Sequence, residues 1–234
     1  MNLLFNAFLA LGVACVTGTA HSQAAAPAQV PQQQQTAAGA GSGASVEAKV
    51  AMCMGCHNIR GYQASFPEVH KVPMIAGQNA KYIAAALNAY KNGDRKHPTM
   101  RGIAMSLTDQ DVATISAYYE SLPKDVKPLG DKPAREPNAQ VAGLLQKAAC
   151  ASCHGANYSK PIDPSYPKIA GQHADYLFVA LKAYKVENNP AVGRNNGVMG
   201  AIAKQFSNAE LKAISNYMAS LDGELRVQPE PRFR

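Results

Sequence analysis

Two short stretches concentrate the reactive side chains: CMGCH at 53–57 and CASCH at 150–154. Each sets two thiols three residues apart and follows them at once with an imidazole. Three chemistries use such a pair. A four-cysteine zinc site usually separates its two pairs by about 12–20 residues, but here 93 residues lie between Cys56 and Cys150. A redox CxxC expects a βαβ setting, and the sequence pattern offers none. The third is covalent haem attachment. On a helical turn residues i and i+3 share a face, so both thiols reach the two vinyl groups of one porphyrin. The histidine that follows then falls beneath the iron. CxxCH is the attachment signature of c-type haem, and its double occurrence selects this reading. Cys53, Cys56, Cys150 and Cys153 are therefore expected to attach two haem c groups, with His57 and His154 as axial ligands.

The ligand on the other side of each iron decides the chemistry. Methionine suits electron transfer, whereas an open position permits catalysis. The chain has eight methionines, and His70, His97 and His173 are further candidates. An internal duplication prunes them. PMIAGQNAKYIAAALNAYK (73–91) returns as PKIAGQHADYLFVALKAYK (167–185), and MRGIAMSLTDQDVATISAYYESL (100–122) as MGAIAKQFSNAELKAISNYMASL (199–221), in the same order. Met74 and Met105 each stand opposite a lysine, Met218 opposite Tyr119, and Met52 and Met54 opposite alanines. His173 aligns with Asn79, and neither His70 nor His97 has a histidine opposite it. Met100 and Met199 alone pair with each other, 43 and 45 residues after His57 and His154. Both are expected in a loop ahead of the last helix of their half. Two alternatives stand: His97 as ligand of the first iron, and core packing for both methionines.

The elements that must position these groups read as helices. Val112, Ile115, Tyr118, Tyr119 and Leu122 follow helical spacing, as do Leu211, Ile214, Tyr217, Met218 and Leu221. Thr108 with Asp111, and Ser207 with Glu210, have capping-box spacing. Ile83, Ala86, Leu87 and Tyr90 form an earlier stripe, matched by Leu177, Ala180, Leu181 and Tyr184. Pro73 and Pro167 admit two roles. One is a turn before a helix; the other is packing on the haem edge with a carbonyl that orients the histidine. No stretch alternates with period two for long. The fold class is all-α, two small tandem domains each wrapped around a covalent haem. Each is small for a self-sufficient core, so the haem-free chain is expected to fold poorly.

The 234 residues divide accordingly. Residues 1–22 read as a signal peptide, with an apolar run too short to span a bilayer comfortably and cleavage expected after Ala20 or Ala24. Cys15 in that run also faintly fits a lipoprotein site. Residues 23–46 are a low-complexity leader of Ala, Gln, Gly and Pro. Residues 47–122 form the first domain, 123–137 a Pro-rich linker, 138–223 the second domain and 224–234 a C-terminal tail. Net charge is +7, falling to about +3 once four propionates are counted. Basic and acidic residues are interspersed, 8 and 6 over 47–122 and 8 and 5 over 138–222, which argues against nucleic acid as a partner.

On the two CxxCH motifs, the repeated IAGQ segments, MRGIA and the terminal helices, the chain resembles the di-haem cytochrome c4 family over about 47–222. The resemblance implies tandem class I cytochrome c domains and His/Met ligation of both haems. It also implies a periplasmic carrier, in some cases loosely attached to the inner membrane. The partners it implies are redox proteins, with electrons passing from quinol:cytochrome c oxidoreductase to a terminal oxidase. A cytochrome subunit of a periplasmic dehydrogenase is the alternative. A di-haem thiosulfate dehydrogenase or peroxidase is a further one. The former uses a cysteine ligand, and every cysteine beyond position 22 is already in a CxxCH. In the second half MGAIA replaces MRGIA, removing the arginine beside the ligand.

Overall fold

The computed structural model describes residues 45–123 and 126–229. The expected signal peptide, Cys15, almost all of the expected leader and the last five residues lie outside them. The first half contains helices α1 (Val46–His57), α2 (Ala80–Asn92), α3 (Pro98–Met105) and α4 (Asp109–Glu120). The second contains α5 (Ala139–Ala148), α6 (Ala151–His154), α7 (Ala174–Ala183), α8 (Gly197–Ala203) and α9 (Asn208–Ser220). Four two-residue strands complete the described elements: β1 (Gln63–Ala64), β2 (His70–Lys71), β3 (Arg95–Lys96) and β4 (Gly193–Arg194). They are too short for an alternating pattern to register in sequence. β1 pairs with β2, and β3 with β4, both antiparallel.

Each half buries the stripes its sequence displays. Ile83 and Leu87 of α2 meet Val112, Ile115 and Tyr119 of α4 and Val50 of α1. Leu177 of α7 meets Leu211, Ile214 and Met218 of α9, with Leu144 and Leu145 of α5 alongside. Both capping boxes form, each cap contributing about 1 kcal/mol.

Asp111 does more than cap. It is buried, bonds the Thr108 N–H and hydroxyl, and forms an ion pair with Lys49 that ties α4 to α1. The Lys49 ammonium, with the Thr108 donors, draws the Asp111 carboxyl down from 3.8 to about 2. A depressed acid contributes stability above its ordinary value and loses it as pH falls through the lowered one. Asp111→Asn should therefore lower the thermal midpoint at neutral pH. Melting curves of the two proteins should converge as pH falls from 3.8 toward about 2; a gap that stays constant to pH 2 would remove the ionic explanation.

The loop expected for Met100 and Met199 is instead the first turn of a helix in both halves. Pro98 sits at the first turn of α3, where its fixed φ suits helix initiation, and His97 caps it through Nδ1. In α8 the cap is Asn196, whose Oδ1 accepts the Met199 N–H at 2.9 Å.

The halves are held together at several points. The β3–β4 ladder sets Arg95 opposite Arg194. The Lys71 N–H donates to Asp175 at 3.0 Å, and Lys182 pairs with Glu68. The expected tail also takes part: the Arg226 N–H donates to the Ala76 carbonyl at 3.0 Å. Beside it Gly77 has φ +86°, and a Cβ there would lie 2.6 Å from the Glu224 carbonyl oxygen, so only glycine fits. The described part of the linker has no helix or strand and runs along the second domain. There Gly130 and Arg135 carbonyls accept from Asn157 and Tyr217. Among the described residues no helix is long and apolar enough to cross a membrane.

Candidate functional site

The two CxxCH segments differ in their support. Cys53, Cys56 and His57 occupy the last turns of α1. In the second half α5 ends at Ala149, whose φ is +48°, and Cys153 and His154 fall on the separate short helix α6. The outcome is nevertheless the same. His57 Nδ1 lies 2.8 Å from the Pro73 carbonyl oxygen and His154 Nδ1 lies 2.9 Å from that of Pro167. A carbonyl only accepts, so each Nδ1 carries the proton and each Nε2 keeps its lone pair for a metal. Burial, opposed by the proline carbonyl, pushes both histidines toward the neutral form. Of the two roles open to Pro73 and Pro167, their carbonyls take the orienting one.

All eight residues expected at the iron sites, the four cysteines with His57, Met100, His154 and Met199, line one continuous cavity. The rival methionines separate from this set in part. Met54 is a core residue outside the cavity, and Met105 is 61% exposed. Met52, Met74 and Met218 also line the cavity, and none of them has a methionine opposite it in the repeat. His97 directs Nδ1 to the Met100 N–H, and His70 directs Nδ1 to the Glu68 carbonyl.

Burial raises the Cys53 and Cys150 thiols to about 11, the reverse of what a redox-active CxxC needs. Among the described residues no three His, Cys, Asp or Glu side chains converge as a metal site, so the zinc reading lacks a ligand cluster. The cavity suits haem in its polar groups as well as its apolar ones. Arg95 and Arg194 line it where the halves meet, and among the described residues neither pairs with a carboxylate. Arg95 Nε is buried without a partner. Between the two guanidiniums stands the Tyr176 hydroxyl, 2.7 Å from Arg95 and 3.2 Å from Arg194. Burial alone would raise this phenol, yet the two arginines draw it down to about 7. Cationic groups left unpaired in a cavity wall call for anions, and the carboxylate-bearing edges of two haems are of the right kind.

A family model described as cytochrome c matches residues 43–123 and again 139–222. Cytochrome c4 of Thiocapsa roseopersicina is 31% identical over 187 residues, covering 75% of this chain and 90% of that protein. The chain belongs to the di-haem cytochrome c4 family. It carries two covalently bound haem c groups, and its CxxCH motifs at 53–57 and 150–154 fit their attachment. A relative from Stutzerimonas stutzeri, the thiosulfate dehydrogenase electron acceptor, is 30% identical over 177 residues, covering 72% of this chain and 79% of its own. Reduced recombinant cytochrome c4 from Pseudomonas stutzeri shares the fold with a TM-score of 0.53 at 25% identity, over 76% of this chain and 97% of that structure. Electron transfer is the activity of this family, and redox proteins are its partners.

Sequence reasoning passed over four cavity residues, Arg95, Arg194, Gln78 and Gln172. A signal existed for each. The arginines stand five residues before Met100 and Met199, and the glutamines end the two IAGQ segments.

Proposed function

We propose that this protein is a periplasmic electron carrier. Cys53 and Cys56 would attach one haem, and His57 and Met100 would hold its iron. Cys150 and Cys153 would attach the other, with His154 and Met199. The observation that carries this reading is the shared cavity, which gathers both CxxCH segments, both methionines and the unpaired arginines. Reversible one-electron exchange is what haem supplies when bound. The chain's own residues set its terms. The proline carbonyls fix the histidine tautomer and raise its basicity. A soft thioether favours the ferrous state. Leu87, Ile83, Leu177 and their neighbours keep water from the iron sites. Arg95 and Arg194 would hold the propionates where the domains meet, bringing the two sites together. With a histidine and a methionine both holding each iron, no position would be left for a substrate, and the protein would act as a carrier rather than as an enzyme.

The route from quinol:cytochrome c oxidoreductase to a terminal oxidase fits this design. The likeness to a thiosulfate dehydrogenase electron acceptor supports a second donor, a periplasmic dehydrogenase. A redox titration of the holoprotein should give two one-electron waves with six-coordinate spectra in both states. Stopped-flow mixing with each purified donor then ranks the two. Sustained turnover of thiosulfate or peroxide by the pure protein, well above free haem, would overturn the carrier assignment.

A further inference from the structure

The glutamines of the two IAGQ segments reach across the domain boundary, each in the same way. Gln172 Oε1 accepts the Met74 N–H at 3.0 Å, and its Nε2 donates to the Met74 carbonyl at 2.9 Å. Gln78 treats Lys168 identically, at 2.9 and 3.0 Å. Both glutamines are 4% exposed. Each Oε1 also accepts the N–H of the following residue, Asn79 or His173, at the start of α2 or α7. The side chains are thus fixed at both ends.

The peptide each one grasps is the one that holds a histidine. The Met74 N–H and the Pro73 carbonyl belong to a single peptide group, whose oxygen takes the His57 Nδ1 proton. The Lys168 N–H and the Pro167 carbonyl form the counterpart for His154. A relay therefore runs from the His57 imidazole through peptide 73–74 to Gln172, and from the His154 imidazole through peptide 167–168 to Gln78. Hydrogen bonds in series polarise one another. When glutamine accepts the N–H, the oxygen of the same peptide becomes more negative and holds the imidazole proton harder. A histidine held harder is a more basic ligand and favours ferric iron.

We propose that Gln78 and Gln172 are crossed positioning residues: each sets the reduction potential of the haem in the domain to which it does not belong. This rests on His57 and His154 as axial ligands. A glutamine that only latched the interface would move both haems together or neither.

The test is a potentiometric titration of the holoprotein. The two waves are assigned beforehand with Met100→His, which marks the first-domain haem. Gln172→Leu should raise the first-domain wave and leave the second in place; Gln78→Leu should do the reverse. The Nδ1 proton resonance of the affected histidine should move upfield in step. Gln172→Glu keeps an acceptor oxygen and should hold or lower the first wave, which covers the case in which the leucine variant fails to fold. Asp175→Ala removes the contact to the Lys71 N–H across the same boundary without touching either peptide, and should move neither wave. The proposal falls if Gln172→Leu shifts its own domain's wave, both equally or neither, or if Gln172→Glu raises the first wave. A parent protein without two histidine-ligated haems would instead defeat the ligand reading before any glutamine is changed.

Discussion

Replacing Met100 or Met199 with histidine will lower one of the two reduction waves and leave the other nearly in place. Thioether sulfur favours ferrous iron and imidazole favours ferric, and each methionine faces the cavity from its own domain. Replacement by leucine removes the sulfur outright. Each leucine variant should abolish about half of the ferric sulfur-to-iron charge-transfer band, because each haem contributes its own. Met74→Leu and Met105→Leu should leave the band whole. Half a band in the unmodified protein would point to His97 at the first iron. The structure gives that histidine another task, since its Nδ1 already caps α3. Loss of half the band with Met105→Leu and none with Met100→Leu would show that the repeat alignment misplaces the ligand.

Removing one pair of attachment thiols should cost a whole domain. With Cys150→Ala and Cys153→Ala together, intact mass should fall by one haem and the visible absorbance by about half. The second domain should lose its cooperative melting transition. Ile169, Leu181 and Ile202 pack against its core, line the cavity and are only partly buried, so a porphyrin would supply the apolar surface that completes their burial. A domain of this size has little margin for such a loss. Circular dichroism and mass spectrometry of the same preparation check both parts. A one-haem protein with its full helical signal and a single sharp transition would show that the second core stands without haem.

Much of this site could be read from residue types. CxxCH carries its chemistry in its spacing, and the helical stripes and capping boxes sit where periodicity puts them. Met100 and Met199 stand out only because the chain repeats; both line the cavity, in the first turn of a helix rather than in the loop the sequence suggests. Pro98 and Asn196 are initiation signals, but short helices resemble loops in sequence. The glutamine relays were harder to see for a physical reason. Gln172 and Gln78 bond to backbone, and every residue but proline offers the same N–H and carbonyl. Met74 and Lys168 therefore play one part while sharing no side-chain chemistry. Arg95 and Arg194 were illegible in a different way. Among the described residues no carboxylate pairs with them, and the anions they suit would come with the cofactor.

The pairing of Arg226 with Ala76 bears on how such a molecule is made. A chain emerging from its N-terminus presents the first CxxCH while nearly everything that closes the first domain is still unmade. The edge at Ala76 and Gly77 stays open until the segment carrying Glu224 and Arg226 arrives. The first porphyrin can be joined to a half-built domain, and the segment at Arg226 then shuts it. The two halves are in this way a single unit of assembly, and a cut at the linker would leave the first without the covalently joined segment that pairs with Ala76.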